Sequence, residues 1–224
     1  MTWCWMSKKK LRKSMGKSLS SDRVGTSLTL AAEHLRRGGI VAFPTETYYG
    51  LAVDPDCALA VTKVFAAKQR QEHKPLLLLI ENKAQLTTIV QDVPQLYEPL
   101  MKRYWPGPLT LIFRAQRHIN PQITGQTGTV GIRISPHPVA EQLVQRMGKP
   151  ITATSANISG LSPARSPQEV IAMLGDRVDY IVDGGITGGG LCSTVVGIRN
   201  NRLFLFRRGQ LILSEELAET GDEK

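Results

Sequence analysis

The chain has 224 residues, 42% of them hydrophobic, which is enough for one sizeable core and favours one domain over two. The formal net charge of +9 is mostly local: residues 1–23 carry Lys8, Lys9, Lys10, Arg12, Lys13, Lys17 and Arg23 against Asp22, which leaves the remaining body at +3. The longest apolar run, Leu76 to Ile80, is far short of the roughly 20 residues of a membrane span, and three scattered cysteines, Cys4, Cys57 and Cys192, fit neither a disulfide framework nor a CxxC zinc site, so no membrane association and a reducing cytoplasm are expected.

Residues 1–23 are polar and basic and lose helical apolar periodicity after Leu11, as expected of a disordered arm. Lysine dominates over arginine and no amphipathic face develops, unlike a transit peptide, whereas clustered cations suffice for nonspecific contact with RNA. From Thr26 onward helical and extended patterns alternate. Leu28, Ala31, Ala32 and Leu35 share a helical face that Gly38 ends, and the strand IVAF follows, closed by Pro44. PTETYYG reads as a loop, and Val61, Val64 and Phe65 mark a helix ending near Lys68. Pro75 opens LLLLI, a strand apolar on both faces.

Further helical patterns cover Pro94 to Tyr104 and Pro138 to Met147, and extended ones cover Leu109 to Ala115 and Val130 to Ser135. The strand ITATS comes next. Ser166-Pro167-Gln168-Glu169 is a capping box with proline at the first helical position, so a helix should run to about Leu174. YIVDGG, a flexible TGGG stretch, STVVGI and RLFLF complete the pattern. The last two are joined at Asn200-Asn201 as a hairpin, and a short helix from Ser214 leads into an acidic tail. The fold class is therefore α/β or α+β, one domain with a twisted mixed sheet flanked by helices.

Three polar segments sit at strand ends, where open α/β sheets place ligands. Thr45, Thr47 and Tyr49 in PTETYYG offer hydroxyls and a wall for a small polar ligand, or form an ordinary loop with Thr and Glu as caps. Lys68, Arg70 and Lys74 are either dipole partners at a helix end or cations for a polyphosphate. Ser155 and Asn157 in TSANISG fit a phosphate cradle or a plain Ser/Asn turn, while Walker and dinucleotide spacings are absent. Trp105-Pro106-Gly107-Pro108 reads as a rigid turn with a buried indole. Arg133, flanked by apolar residues, needs an anionic partner and suits a carboxylate. Ser193 and Thr194, after the glycines, could close as a lid. His34, His73, His118 and His137 show no metal spacing. A reaction run by positioning and electrostatics, such as nucleotidyl transfer, fits this inventory.

PTETYYGL, KQR, KPL, WPGPLT, VGIR, TSANISG, DGG, STVV and FRRG occur in the order and spacing of the YrdC family, the threonylcarbamoyl-AMP synthases, which the chain resembles from about Thr26 to Ser214. The resemblance implies a YrdC-like catalytic domain over residues 24–213, with a short helix and acidic tail over 214–224, and a concave, positively charged cavity. It implies a nucleotidyltransferase that makes L-threonylcarbamoyladenylate and pyrophosphate from L-threonine, bicarbonate and ATP, with Mg2+, for the threonylcarbamoyladenosine modification of tRNA. Lys68 and Arg70 look like catalytic cations, and Lys68, Arg70, Lys74, Thr129, Ser155, Asn157 and Arg207 resemble the ATP-binding set. Thr45, Thr47, Tyr49, Arg133 and Ser193 resemble the threonine-binding set, and no metal ligand can be assigned. Protein partners that transfer the product to tRNA are implied, since the C-terminal domain of the longer synthases is missing from the match. Gln71 and Arg208 stand where many relatives have proline. A noncatalytic RNA- or tRNA-binding protein and a nucleotide-binding paralogue are the alternative readings.

Overall fold

The computed structural model describes residues 23–213. The basic arm up to Asp22, and the helix expected from Ser214 with its acidic tail, lie outside the described residues. The strands are β1 (Val24–Gly25), β2 (Val41–Pro44), β3 (Tyr49–Ala52), β4 (Leu77–Leu79), β5 (Leu109–Arg114), β6 (Thr129–Arg133), β7 (Ile151–Ser155), β8 (Tyr180–Val182), β9 (Thr194–Arg199) and β10 (Arg202–Arg207). The α-helices are α1 (Leu28–Arg36), α2 (Ala58–Lys68), α3 (Leu86–Ile89), α4 (Glu98–Tyr104), α5 (Pro121–Thr124), α6 (Pro138–Met147) and α7 (Pro167–Leu174).

Helix boundaries follow local chemistry. Ser27 Oγ accepts from Leu30 N to cap α1, and α2 ends where Gln69 takes a left-handed φ of 50°. The capping box is present: Ser166 Oγ accepts from Glu169 N at 3.2 Å, while the Glu169 carboxylate reaches one residue further back, to Arg165 N, at 2.7 Å. Asn200 and Asn201 both have positive φ, as the tight β9–β10 turn requires.

The ten strands form one mixed sheet in the order β1-β8-β2-β3-β7-β4-β6-β5-β9-β10. Alternate residues along each strand point to opposite faces. One face carries α2, α4 and α7: Val64, Leu100 and Val170 share a core with Ala42, Leu51, Leu78, Leu111, Ile132 and Val196. The other face carries α1 and α6, where Leu35 and Leu143 meet Val41, Phe43, Ala52, Ile151 and Tyr180. That second layer stops short. No residue of β5, β6 or β9 joins its core, so this half of the sheet is left as an open floor.

One expected element changes. Pro44 does not close its strand before a loop running to Gly50; Tyr49–Ala52 is a strand antiparallel to β2, with Pro44 opposite Tyr49. Proline is tolerated in this ladder because the Tyr49 carbonyl needs no donor from it, accepting instead from Ala156 N at 2.8 Å outside the pair. The loop is thereby shortened to residues 45–48.

Candidate functional site

The uncovered floor is one wall of a cavity of about 420 Å³. Thr110 and Ile112 of β5, Thr129, Gly131 and Arg133 of β6, Leu77 of β4, Ala153 of β7 and Val195 of β9 line it, while their strand neighbours point into the core behind. Gly131 keeps the floor flat, since a Cβ there would lie 3.1 Å from Thr110 Cγ2. Ten of the twelve residues expected at the site border this cavity: Thr45, Thr47, Tyr49, Arg70, Lys74, Thr129, Arg133, Ser155, Ser193 and Arg207. Two do not. Lys68 and Asn157 lie behind its wall.

Four lining residues are cationic, Arg70, Lys74, Arg133 and Arg207, and none is acidic. Arg70 follows the end of α2, where Gln69 turns the chain, and its guanidinium donates to Lys74 O and Pro75 O. It thus holds Lys74 on the same rim. Burial and the nearby Arg207 guanidinium lower the Arg70 pKa. Arg207 donates to Ser193 O at 2.9 Å and Ser193 Oγ at 3.1 Å, and Ser193 Oγ lies 2.9 Å from Thr110 Oγ1. The lid expected at Ser193 and Thr194 is therefore not found: Thr194 begins β9, and Ser193 is buried and held from two sides. The glycine stretch is tethered too, with Thr187 N donating to Arg165 O, Gly189 N to Thr47 O and Tyr48 Oη to Gly190 O. Composition alone suggested flexibility; two backbone partners and one tyrosine hydroxyl tie the stretch down.

Arg133 has its anion. Its Nη1 donates to Glu46 Oε1, and Ser135 Oγ donates to Glu46 Oε2 at 2.7 Å. Arg133 is buried and Glu46 half-buried, and Arg133 Nε, closed off from solvent, has no partner. Desolvation lowers the Arg133 pKa, and Glu46 opposes that shift. Glu46 was missed as a site residue, although it is the one acidic residue between Glu33 and Asp54 and an arginine in a buried strand calls for such a partner. The loop that bears it is rigid: Thr45 Oγ1 donates to Tyr48 O and accepts from Thr47 N. Tyr49 borders the cavity, but its ring is in the core and its hydroxyl bridges Gly184 N and Gly185 O.

Behind the wall, Lys68 Nζ donates to Ser155 O, to Asn157 O at 2.9 Å and to Asn157 Oδ1 at 2.9 Å. Burial, helped by Arg70, lowers its pKa to about 7. Lys68 therefore does not face the cavity as a phosphate cation. Its aliphatic stem is packed and its charge is taken up by the turn that carries Ser155. Mg2+ also finds no protein ligands here: no lining residue is acidic, and the described residues contain no cluster of three His, Cys, Asp or Glu able to hold a metal. The donor set does not fit a protein-held divalent cation.

The Sua5/YciO/YrdC family model, described as "Telomere recombination", matches residues 33–209. The chain belongs to this family. It is 38% identical over 188 residues to the threonylcarbamoyl-AMP synthase of Pyrococcus abyssi (84% of this chain, 55% of the relative), and 41% identical over 180 residues to that of Bacillus subtilis (80% and 52%). The chain thus spans about half the length of these two relatives. With the synthase of Idiomarina loihiensis it shares 35% identity over 176 residues, covering 78% of this chain and 95% of that one. The crystal structure of P. abyssi Sua5 complexed with L-threonine superposes with a TM-score of 0.83 at 36% identity, covering 87% of this chain and 58% of that one. None of the described helices is long and apolar enough to cross a membrane.

Proposed function

We propose that the chain is a threonylcarbamoyl-AMP synthase, converting L-threonine, bicarbonate and ATP into L-threonylcarbamoyladenylate and pyrophosphate. The observation that carries this reading is one cavity in which four cations and no carboxylate face a rigid loop of hydroxyl-bearing residues. Every substrate brings negative charge: a triphosphate, bicarbonate and an amino-acid carboxylate. The absence of an acid from the lining also leaves the threonine amine without an anion to hold it as ammonium, which suits an amine that must react as a neutral nucleophile.

The amine attacks the bicarbonate carbon, and loss of water leaves threonylcarbamate. A carbamate oxygen then attacks the α-phosphorus of ATP, and the bond to the β-phosphate bridge breaks to release pyrophosphate. Arg70, Lys74 and Arg207, which line the cavity, offset charge on the phosphates in this reading, most of all where the leaving group becomes anionic. Arg133, the one guanidinium on the cavity floor, is the group for the amino-acid carboxylate. Thr45, Thr47 and Ser193 supply polar contacts for a side-chain hydroxyl, which discriminate against an isosteric apolar residue more sharply than packing does. A divalent cation would enter bound to the nucleotide phosphates.

The reaction belongs to tRNA modification in the cytoplasm, with partner proteins transferring the threonylcarbamoyl group from the adenylate to tRNA and releasing AMP. Incubation with labelled bicarbonate, ATP and L-threonine should place the label in an adenylate. Label that stays in free bicarbonate under all conditions would remove the synthase reading.

A further inference from the structure

Lys68 is 1% exposed and forms no ion pair among the described residues. A buried ammonium without an anion persists where each of its three N–H groups has an acceptor, and the three here are Ser155 O, Asn157 O and Asn157 Oδ1. An ammonium cannot accept. It therefore forces the Asn157 amide to turn its oxygen toward Lys68 and its nitrogen away, where Nδ2 donates to Leu161 O at 2.5 Å. The same amide oxygen accepts from Ser155 Oγ at 2.6 Å. That takes up the one proton of Ser155 and leaves its lone pairs for the cavity that Ser155 lines. The main chain closes the same turn, with Ser159 N donating to Lys68 O at 2.8 Å.

We propose that Lys68 is a positioning residue, whose ammonium orients the Asn157 amide and thereby makes the Ser155 hydroxyl a hydrogen-bond acceptor toward the bound nucleotide. The proposal rests on the synthase reading only in that a nucleotide occupies the cavity. An acceptor at Ser155 matches a ribose hydroxyl or a base amine, both of which donate; a phosphate oxygen offers only lone pairs. The phosphates then belong to Arg70, Lys74 and Arg207, on the other side of the wall from Lys68.

The test, run at pH 6 where Lys68 is an ammonium, titrates AMP, ADP and ATP into wild type, Lys68→Met and Arg70→Ala. Loss of the orienting hydrogen bonds is expected to weaken all three nucleotides by the same factor in Lys68→Met, roughly tenfold. In Arg70→Ala the loss should grow from AMP to ATP. A loss at Lys68→Met that also grows with phosphate number overturns the proposal. A second measurement, independent of that variant's folding, uses wild type: the Lys68 Nζ resonance should stay in place on addition of inorganic tripolyphosphate while the Arg70 Nε resonance moves. Movement of Lys68 with the same midpoint as Arg70 again overturns it. Failure of wild type to bind any nucleotide contradicts the synthase reading instead, because slowed exchange of the Lys68 ammonium protons reports the Asn157 hydrogen bonds without a ligand.

Discussion

Glu46 and Arg133 form a largely buried ion pair that joins the β2–β3 loop to the cavity floor. It neutralises one of the four cations and fixes the guanidinium of Arg133 in place at the cavity it lines. Glu46→Gln removes the charge and leaves a buried guanidinium without compensation. The expected loss is about 3 kcal/mol of stability, read from the urea midpoint, with a larger fall in affinity for threonine than for ATP. Replacing both residues, as Glu46→Leu with Arg133→Met, should restore much of the stability and none of the threonine affinity. Threonine binding in that double variant would exclude Arg133 as the carboxylate anchor.

His137 caps α6 with its ring: Nδ1 accepts from Val139 N at 3.2 Å, so this nitrogen must be unprotonated. Burial lowers its pKa below 6.5, against the opposing pull of Glu46. A folded-state pKa below the unfolded one means that the cap's contribution is present above pH 6.5 and lost as pH falls through the folded value. Thermal melts between pH 7 and pH 5 should show this loss, limited to about 1 kcal/mol, the usual worth of a cap. His137→Asn keeps a capping acceptor and cannot titrate, so it should flatten the dependence. An equal pH slope in both proteins would remove His137 as its cause.

Lys68 titrates in the opposite region. Its pKa is near 7 folded and 10.5 unfolded, so between these values the unfolded chain binds the extra proton and folding stability from this group rises with pH. Below pH 7 the full cost of holding the charge in the interior remains. The midpoint of wild type should therefore gain on that of Lys68→Met from pH 7 to pH 10. A constant gap would show that the ammonium stays charged throughout this range.

Arg70 combines two tasks, facing the cavity and holding Lys74 through its carbonyl. Arg70→Ala should lower kcat/KM for ATP by roughly a hundredfold, with part of the loss in kcat even at saturating ATP. Unchanged turnover at saturation would confine Arg70 to binding.

Periodicity in the chain marked most elements because their buried faces are regular: α6 matches its pattern end to end, and Ser166 and Gly175 bracket α7. β3 was hidden because Pro44 stands just before the turn leading into it and Gly50 lies inside it, both strand-breaking signals, in a short run whose pairing is set by contacts with β2 and β7. The site was legible as a set of residue types at strand ends. Lys68 and Asn157 show the limit of that legibility, since the direction a side chain takes from the end of α2 or from the 155–161 turn depends on which neighbour satisfies it. The tether of Gly189 to Thr47 was likewise beyond reach, because it is a backbone bond across 142 positions.

The most direct test of the synthase reading is pyrophosphate release from ATP by the purified chain in bicarbonate buffer, with and without L-threonine. The account predicts release that depends on threonine, saturates with it and falls sharply when serine or valine replaces it. Release that is absent, or equal with and without threonine, would contradict it.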